Sequence, residues 1–386
     1  MKSRAPILVV FLVAVIAIVG VTLYAQRPGS PGAGTPSAAG GPTVTISMLY
    51  GTEKKDWVEA AHAAFATAHP EIAVELVGMG SLQAAEAILD GTQHPTVFSP
   101  ADSLVLNLLR SDWEAKNHTE PFVTALGADP LVITPLVFAA WEDRGSKLAA
   151  PTGGHLSWKV LHDALVDNRG WPSVGGPPDW GFVKLGHTDP TRSNSGLQAL
   201  ALMTMEFHGR TALTVADVLD PAYQAWVAGI EGGVAKYETS TGTFMTDMVR
   251  FGPSKYDVAV VYESTAIGQL ENAQGRWGNL RVYYPSPTMW SDHPAVVLAE
   301  ATPEQQAAAA TWLGWLRSPE IQQRALGFGF RPGDPAVAIQ STDAQNPFVK
   351  YASYGVTIEI PPVAPAPDGT VVRNLMTMWT RTVPHR

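Results

Sequence analysis

The sequence predicts an α/β protein with two lobes, each built on a mostly parallel sheet flanked by helices. From residue 43 onward, segments with the two-residue period of strands alternate with segments of helical spacing. About 340 residues follow a Pro/Gly-rich stretch that ends at residue 42, which is too many for one ordinary core. Two lobes leave a cleft, and ligands of such sheets bind at the carboxyl ends of strands.

The first 26 residues predict export from the cytoplasm. Lys2 and Arg4 precede an apolar run at residues 5–26 that is long enough for a signal peptide or a single membrane span. The tripeptide LYA at 23–25 is a poor cleavage site, which favours a retained anchor. Basic residues before the run place the rest of the chain on the periplasmic or otherwise extracytoplasmic side.

A linker is predicted directly after this run. Residues 27–42 read RPGSPGAGTPSAAGGP, in which nine of sixteen residues are Pro or Gly. Such a segment is a flexible tether with a reach on the order of 20 Å. It would hold a folded body just off the membrane surface.

Composition excludes several classes of function. Hydrophobic residues make up 46% of the chain and charged residues 16%, which indicates a well-packed globular body. The net charge of −9 and the lack of a basic stripe exclude nucleic-acid binding. The chain has no cysteine, so disulfides, thiolate metal sites and a cysteine nucleophile are excluded as well.

Three strand-to-helix units in the first part of the chain have a hydroxyl residue at the turn. The predicted strands cover residues 43–48, 72–76 and 96–98. Thr52 and Ser81 are predicted as N-caps of the helices after the first two strands. Ser99 with Pro100 is predicted to open the third helix, because serine followed by proline is a favoured helix start.

The later elements repeat this alternation. Strands are predicted at 182–185 and 257–262, and helices at 197–207, 303–316, 319–326 and 370–379. The first of these strands leads into HTDPTRSNSG at 187–196, directly before a helix. A loop rich in hydroxyls and amides at a helix start presents free N–H groups and the positive end of the helix dipole. It therefore predicts a cradle for an anion or a strongly polar group.

Several segments resemble a known family. GSLQAAEAILDGTQHPTVFSPADS at 80–103 is similar to the second ligand loop and following strand of molybdate-type periplasmic binding proteins. Other segments resemble the extracellular solute-binding proteins of ABC-transporter systems with type II topology. They are DPTRSNSGLQAL at 189–200, YDVAVVYESTAIG at 256–268, YPSPTMWSDHPAVVLA at 284–299 and SPEIQQRALGFGFRP at 318–332. The resemblance covers residues 43 to about 335 in the expected order.

The resemblance implies two lobes that close on a ligand by hinge motion. The first lobe would contain residues 43–138 and 288–386, and the second lobe residues 139–287. The chain would cross between them near 132–141 and 282–288. These boundaries are expectations that come from the family.

The resemblance also implies a set of ligand-binding residues. Ser81 matches the second-loop serine that binds the oxyanion, Tyr262 matches a tyrosine at the end of a second-lobe strand, and Thr52 takes the place of the first-loop hydroxyl. Ser195 lies where the family uses backbone N–H groups. Behind these candidates stand Ser99, Asn194 and Glu263.

Two features depart from the molybdate-type pattern. Glu263 directly follows Tyr262, and an ionised carboxylate at the mouth of an oxyanion site would repel the ligand. The pair Asn194-Ser195 is more polar than the usual loop, which suggests a larger hydrogen-bonding ligand. Ferric-iron binders use paired tyrosines, and only Tyr262 stands at the expected place.

Each candidate also has a purely structural interpretation. Thr52, Ser81 and Ser99 individually serve as helix caps in the simplest interpretation, and only their recurrence at strand ends favours ligand contact. Tyr262 is equally a core aromatic with its hydroxyl at the rim. Asp102 is best interpreted as a first-turn acid of its helix.

The resemblance implies an extracytoplasmic solute-binding protein that captures a small polar ligand, such as an oxyanion, for the permease of an ABC-type importer. The alternative is a membrane-tethered ligand sensor or protein-interaction module with the same fold. A hydrolase is the least favoured alternative, since no nucleophile elbow, H-E-x-x-H motif or P-loop occurs. We expect no catalysis, no metal and no cofactor.

Overall fold

The structure is a computed structural model that describes residues 44–234 and 236–383. The predicted membrane segment at 5–26 and the predicted linker at 27–42 lie outside the described residues. Within the described part of the chain, no helix combines the length and the apolar character needed to cross a bilayer.

The described residues form two sheets. Their strands are β1 (Val44–Gly51), β2 (Ile72–Met79), β3 (Val97–Ser99), β4 (Val132–Trp141), β5 (Leu185–Gly186), β6 (Val258–Tyr262), β7 (Leu280–Tyr283), β8 (Trp290–Ser291), β9 (Val296–Val297) and β10 (Arg331–Pro332).

Helices fill most of the connections. They are α1 (Lys55–Ala68), α2 (Ser81–Leu89), α3 (Ser103–Asn117), α4 (Glu142–Ala149), α5 (Trp158–Val166), α6 (Asn194–His208), α7 (Val215–Leu219), α8 (Pro221–Gly232), α9 (Thr241–Phe251), α10 (Glu263–Ala273), α11 (Pro303–Leu316), α12 (Pro319–Ala325), α13 (Pro347–Lys350) and α14 (Gly369–Thr382).

The first sheet has the strand order β2-β1-β3-β9. β1 is parallel to β2 and β3, and β9 is antiparallel to β3. The alternation of β1 directs Ile46 and Met48 into a core that also contains Trp57 and Phe65 of α1 and Trp312 of α11. Because β1, β2 and β3 run in the same direction, the turns that follow them lie at one edge of the sheet.

The second sheet is organised around β4, which pairs along both of its edges. Its first residues pair with β8 and β10, and its later residues pair with β6 and β7. Nine of the ten residues of β4 are buried, in agreement with the nearly uninterrupted apolar sequence VITPLVFAAW. This strand is the segment 132–141 that was expected to cross between lobes.

Two sheets flanked by helices confirm the predicted two-lobed α/β fold. The first sheet is mostly parallel, as predicted. In the second sheet only β5 and β6 are parallel, because β4 runs antiparallel to each of its partners. The helix predicted at 303–316 is α11, and the helix predicted at 319–326 ends one residue earlier as α12.

The first two helix starts differ from the prediction. Thr52 begins a short 3-10 turn, Thr52–Lys54, and α1 follows it at Lys55. Gly80 occupies the N-cap of α2, and Ser81 is its first helical residue. The hydroxyl of Ser81 is not used as a cap because it accepts a hydrogen bond from the backbone N–H of Ala101 at 2.9 Å.

The third helix also starts later than predicted. α3 begins at Ser103, whereas the prediction placed its start at Ser99 and Pro100. Asp102 is the N-cap, and its Oδ1 accepts from the backbone N–H of Leu104 at 2.7 Å. A carboxylate cap at this position ends the extended segment after β3 three residues further along than a serine cap would.

The strand predicted at 182–185 is shorter in the structure. Only Leu185–Gly186 pairs with a neighbour, as β5 beside β6. Phe182 is 63% exposed, and the backbone N–H of Lys184 donates to the Asp257 carboxylate at 2.8 Å. The backbone of this segment is therefore held by a side chain before pairing begins.

The C-terminal helix α14 packs against elements from distant parts of the chain. It contacts α3 of the first half and α6, α7 and α8 of the second. Trp379 of α14 donates its indole N–H to Glu231 Oε1 at 2.9 Å, which ties α14 to α8.

A buried ion pair lies beside this contact. His187 Nε2 is 2.9 Å from Glu231 Oε2, and both side chains are almost completely inaccessible to solvent. Burial opposes the charged imidazolium, but the attraction of Glu231 and the backbone carbonyl of Thr188 outweigh burial and raise the pKa of His187. His187, the first residue of the polar loop 187–196, therefore has a structural role.

We expect this pair to give the fold a pH-dependent stability. Unfolded histidine titrates near 6.5, so the contribution of the pair is fully present below about pH 6.5 and is lost as pH rises through the higher folded pKa. Glu231→Gln should lower the free energy of unfolding by about 3 kcal/mol at pH 6 and flatten its pH dependence. Urea denaturation of the purified protein at pH 6 and pH 8.5 measures both effects.

A matched control is Glu320→Gln, which removes an exposed acid of an i,i+4 pair with Arg324. It should leave the unfolding transition unchanged. A Glu231→Gln variant with wild-type stability and wild-type pH dependence would contradict a stabilising role for the pair of His187 and Glu231.

Candidate ligand-binding site

A small cavity lies where strands of both sheets end. Its lining residues lie after β1, β2 and β3, at the end of β6, or at the starts of α6 and α9: Thr52, Glu53, Gly80, Ser81, Ala101, Ser193, Asn194, Thr239, Ser240, Thr241 and Tyr262. Its volume of about 10 Å³ is close to the room that one water molecule needs. We call this space the small cavity.

Three helices point their N-termini at the small cavity. Gly80, Ser193 and Ser240 are the N-cap residues of α2, α6 and α9, and all three line it. None of these N-caps makes a side-chain capping hydrogen bond. First-turn N–H groups and the positive ends of three helix dipoles therefore converge on one point, an arrangement that favours an anionic or strongly polar group.

Asn194 and Tyr262 form a hydrogen-bonded pair in the wall of the cavity. Asn194 Nδ2 donates to the Tyr262 hydroxyl at 3.0 Å, while the buried Oδ1 of Asn194 has no partner among the described residues. Burial and the charge of Glu53 raise the pKa of Tyr262 well above its usual value, so the phenol stays protonated. Its oxygen accepts from Asn194, and the Ser291 side chain is a second hydrogen-bond partner of the hydroxyl.

Ser81 has a hydroxyl proton that it can donate to a ligand. Its Oγ already accepts from the N–H of Ala101, and the residue is 4% exposed. A buried hydroxyl that accepts from the backbone has its own proton left to donate. Ser81 and Tyr262 thus approach the cavity from the first and the second sheet.

Ser195 lies behind the cavity wall and does not line it. Its Oγ is 2.8 Å from Thr188 Oγ1 and 2.7 Å from Thr241 Oγ1. Gly196 lies so close to the same loop that a Cβ would stand 2.1 Å from the carbonyl oxygen of Thr188. Ser195 therefore supports the loop and the start of α9, both of which carry lining residues.

Ser99 and Glu263 also lie away from the small cavity. Ser99 is completely buried at the end of β3, and its Oγ has no hydrogen-bond partner within the described ranges. Glu263 is bound by Arg331, whose Nε and Nη2 each donate to it at 2.8 Å, and it also accepts from Tyr284. The carboxylate expected at the mouth of the site is turned into the protein and paired there.

Glu53 is the acidic residue that does line the small cavity. Its Oε1 is 3.4 Å from Lys54 Nζ and 3.5 Å from His293 Nδ1. Lys54 is fully buried and donates to the carbonyl of Pro100 at 3.0 Å. Burial lowers the pKa of Lys54 despite the attraction of Glu53, which acts in the opposite direction.

Sequence patterns indicated only part of this set. Thr239, Ser240 and Thr241 lie at the start of α9 in the run TSTGT. This run resembles SNSG at the start of α6 and can be recognised by that likeness. Glu53 has the pattern of an ordinary first-turn acid, and nothing in the pattern around Lys54 distinguishes it from a surface lysine.

A second acidic group lies just outside the small cavity. Asp102 accepts from Gln198 Nε2 of α6, which also donates to the carbonyl of Trp290 at 2.7 Å. Burial and the neighbouring Asp292 carboxylate raise the pKa of Asp102 to about 7. The buried Oε1 of Gln198 has no partner among the described residues.

No group of three or more His, Asp or Glu side chains that could hold a metal ion occurs in the part of the chain that the structure describes. The polar groups of the small cavity are hydroxyls, one amide, backbone N–H groups and one carboxylate.

Comparison with known proteins gives one family match. The family model described as bacterial extracellular solute-binding protein matches residues 46–331. In sequence alone, the chain matches no curated protein significantly.

Solved structures share the fold at low sequence identity. The sulfate-binding protein SubI from Mycobacterium tuberculosis H37Rv is 15% identical, with a TM-score of 0.55 over 89% of this chain and 100% of that one. A periplasmic thiamin-binding protein is 13% identical, with a TM-score of 0.62 over 92% and 100%. A Bordetella ferric-binding protein is 17% identical, with a TM-score of 0.52 over 88% and 98%.

We expect the pair between Glu263 and Arg331 to stabilise the fold. Arg331→Met leaves a buried carboxylate without its partner and should lower the free energy of unfolding by about 3–5 kcal/mol. Adding Glu263→Gln should recover part of this loss, because no buried charge remains. Urea denaturation of the two single variants and the double variant measures the coupling.

The control for this cycle is Arg324→Met, which removes an exposed partner of Glu320. It should not change stability. Equal stability of Arg331→Met and the wild type would show that Glu263 does not depend on this arginine.

The raised pKa of Asp102 predicts a second pH dependence of the free energy of unfolding. Unfolded aspartate titrates near 3.9, so a folded pKa of about 7 makes the free energy of unfolding fall as pH rises from about 4 to about 7. Asp102→Asn keeps the helix cap and removes the titration. It should therefore match the wild type near pH 4.5 and exceed its stability by about 1–4 kcal/mol at pH 8.

The measurement is the difference in the free energy of unfolding between Asp102→Asn and the wild type at both pH values. Taking the difference cancels the contribution of His187. A difference that is the same at pH 4.5 and pH 8 would argue against a raised pKa at Asp102.

Proposed function

The chain belongs to the bacterial extracellular solute-binding proteins, and from this premise we propose that it captures a small polar solute in the small cavity and delivers it to an ABC-type importer. The solute presents an oxyanion or a comparable group of hydrogen-bond acceptors. Thr52, Ser81, Asn194 and Tyr262 are the proposed contacts.

The convergence of α2, α6 and α9 on one cavity carries this proposal. Their N-caps lack side-chain capping bonds, and Ser81 and Tyr262 line the same cavity with their hydroxyl-bearing side chains. An acceptor-rich group would satisfy these donors together. The charge of Glu53 opposes an anion, but Lys54 and the three helix dipoles act against that repulsion.

Binding requires the cavity to open. About 10 Å³ does not admit a solute larger than a water molecule, so entry needs the walls that carry Ser81 and Asn194 to separate. We propose that these walls belong to two lobes, residues 43–138 with 288–386 and residues 139–287. α14 contacts helices of both halves and would restrict the separation.

The importer partner and the location follow from the family. Extracellular solute-binding proteins act outside the cytoplasm. One of the solved structures with a similar fold is the substrate-binding protein of an ABC transporter from Agrobacterium tumefaciens. We propose that the apolar run at 5–26 directs export and tethers the body beside a permease. The proteins with similar structures are named for binding sulfate, thiamin or ferric iron, so the fold does not identify the solute of this site.

A ligand panel with matched serine variants tests the proposal. Sulfate, phosphate, molybdate and uncharged solutes are added to the purified protein, and thermal midpoints identify which of them bind. Ser81→Ala and Tyr262→Phe should each weaken the strongest oxyanion by about 10-fold or more, since each removes a hydrogen bond to a charged group. Isothermal titration measures the dissociation constants.

Ser99→Ala is the control, because it removes a buried serine hydroxyl that does not line the small cavity. It should leave the dissociation constant unchanged. An equal loss in Ser99→Ala and Ser81→Ala, or no binding of any panel member by the folded protein, would refute this site.

A further inference from the structure

The small cavity combines one acid with many hydrogen-bond donors. Glu53 lines it together with the first residues of α2, α6 and α9, whose N–H groups have no acceptors within their own helices. The Glu53 side chain is 8% exposed, so part of it is accessible from open space. A ligand in this cavity therefore meets donors on several sides and a carboxylate on one.

The Glu53 carboxylate lies close to the Tyr262 hydroxyl. After burial, the charge of Glu53 is the largest cause of the raised pKa of Tyr262. An electrostatic effect of this size between two side chains requires a short separation. Because Tyr262 lines the small cavity at the end of β6, the carboxylate and the phenol border the same space.

The acceptor capacity of Glu53 is only partly used. Among the described residues, its carboxylate receives one hydrogen bond, a long one of 3.4 Å from Lys54 Nζ to Oε1. His293 Nδ1 lies 3.5 Å from the same oxygen, but burial and Lys54 lower the pKa of His293 well below its usual value, so the ring is neutral. An ionised carboxylate has about four lone-pair sites, so Glu53 can accept a further hydrogen bond from a ligand.

These two kinds of wall group set opposite demands on the ligand. A fully ionised oxyanion such as sulfate or molybdate has acceptors only, so beside Glu53 it would place two acceptors of like charge together. A cation is disfavoured because the positive ends of three helix dipoles point at the cavity. An oxyanion that keeps a proton meets both demands, since its hydroxyl donates to the carboxylate while its other oxygens accept from the helix N–H groups.

We propose that Glu53 determines the specificity of the small cavity by selecting oxyanions that retain a proton, such as hydrogen phosphate and hydrogen arsenate, over the fully ionised sulfate and molybdate. The ligand hydroxyl donates to Glu53, and the remaining oxygens accept from the N-termini of α2, α6 and α9 and from Ser81. This inference rests on the proposed function of the small cavity and names the class of oxyanion that it takes.

The first arm of the test compares phosphate, arsenate, sulfate and molybdate on the full-length protein by isothermal titration at neutral pH. Phosphate and arsenate should bind at least about 10-fold more tightly than sulfate and molybdate, because only they make the charge-assisted hydrogen bond to Glu53. Sulfate or molybdate that binds as tightly as phosphate overturns the inference.

The second arm changes the proton on the ligand and leaves the protein unchanged. A phosphate monoester loses its last proton near about pH 6, whereas inorganic phosphate still carries one at about pH 8. The ratio of the dissociation constants of methyl phosphate and inorganic phosphate should therefore rise by about 10-fold or more between about pH 5.5 and about pH 8. An unchanged ratio overturns the inference.

This ratio also separates the ligand from the protein. Titration of Glu53 and of the ionisable groups around it acts on both ligands and cancels in the ratio. The groups are Tyr50, Lys54, Asp102, Tyr262 and His293.

The third arm uses Glu53→Gln, whose side-chain amide can donate to a fully ionised oxyanion. The ratio of the dissociation constants of sulfate and phosphate should fall by about 10-fold or more towards 1. The matched control is Glu59→Gln, which makes the same charge change at a half-exposed acid of α1 that lines neither the small cavity nor its rim. The control should keep the wild-type ratio, and a folded Glu53→Gln variant that also keeps it overturns the inference.

Failure of this inference differs from failure of the proposed function. Tight sulfate or molybdate binding that is lost in Ser81→Ala overturns the selection by Glu53 and leaves the site in place. Absence of binding for all four oxyanions by the folded protein overturns both. The two wild-type arms decide the inference if Glu53→Gln does not fold.

Discussion

The second sheet and the position of the site depend on the pairing of β4 along both edges. Its buried apolar residues have no polar face, so the backbone must find partners on each side. Pairing Leu136 with Tyr262 fixes the end of β6, and pairing Thr134 with Ser291 fixes the segment that carries His293. These two pairings fix the position of Tyr262 relative to His293, which in turn lies beside Glu53 and Lys54.

Two acids near the small cavity are each paired with a cationic side chain, and these pairs decide where their negative charge lies. Glu263 forms an ion pair with Arg331 and lies away from the small cavity, whereas Glu53 pairs with the buried Lys54 and lines the cavity. A buried carboxylate without such a partner is costly, so these pairs fix where negative charge is allowed near the small cavity. The site is consequently acidic at one point and rich in donors at the others.

The sequence predicted the α/β alternation and most long helices, because periodicity and capping are local properties. It also placed Thr52, Ser81, Asn194 and Tyr262 near strand or helix ends, where the structure brings them together. Tertiary contacts decided the rest. The Ala101 N–H donates to the hydroxyl of Ser81, and Arg331, which is 68 residues away in sequence, binds the Glu263 carboxylate.

Lys54 shows most clearly what local patterns omit. A lysine one residue before α1 has the pattern of a solvent-exposed side chain, and its burial depends on Pro100 and on His293, which is 239 residues away. The segment from Thr239 to Thr241 differs from Lys54 in this respect. It carries the same helix-start signal as the segment from Ser193 to Ser195, so a local pattern does mark this part of the site.

The N-termini of α2, α6 and α9, which lack side-chain caps, suggest how a permease could distinguish protein with bound solute from empty protein. A closed but empty cavity would leave several donors without acceptors, at a cost of about 1–3 kcal/mol for each one that water does not reach. Under the proposed function, closure would therefore be favourable chiefly when a solute satisfies them. A permease that recognises the closed outline of the protein would distinguish full carriers from empty ones without touching the cargo, and empty carriers would not compete for its docking face.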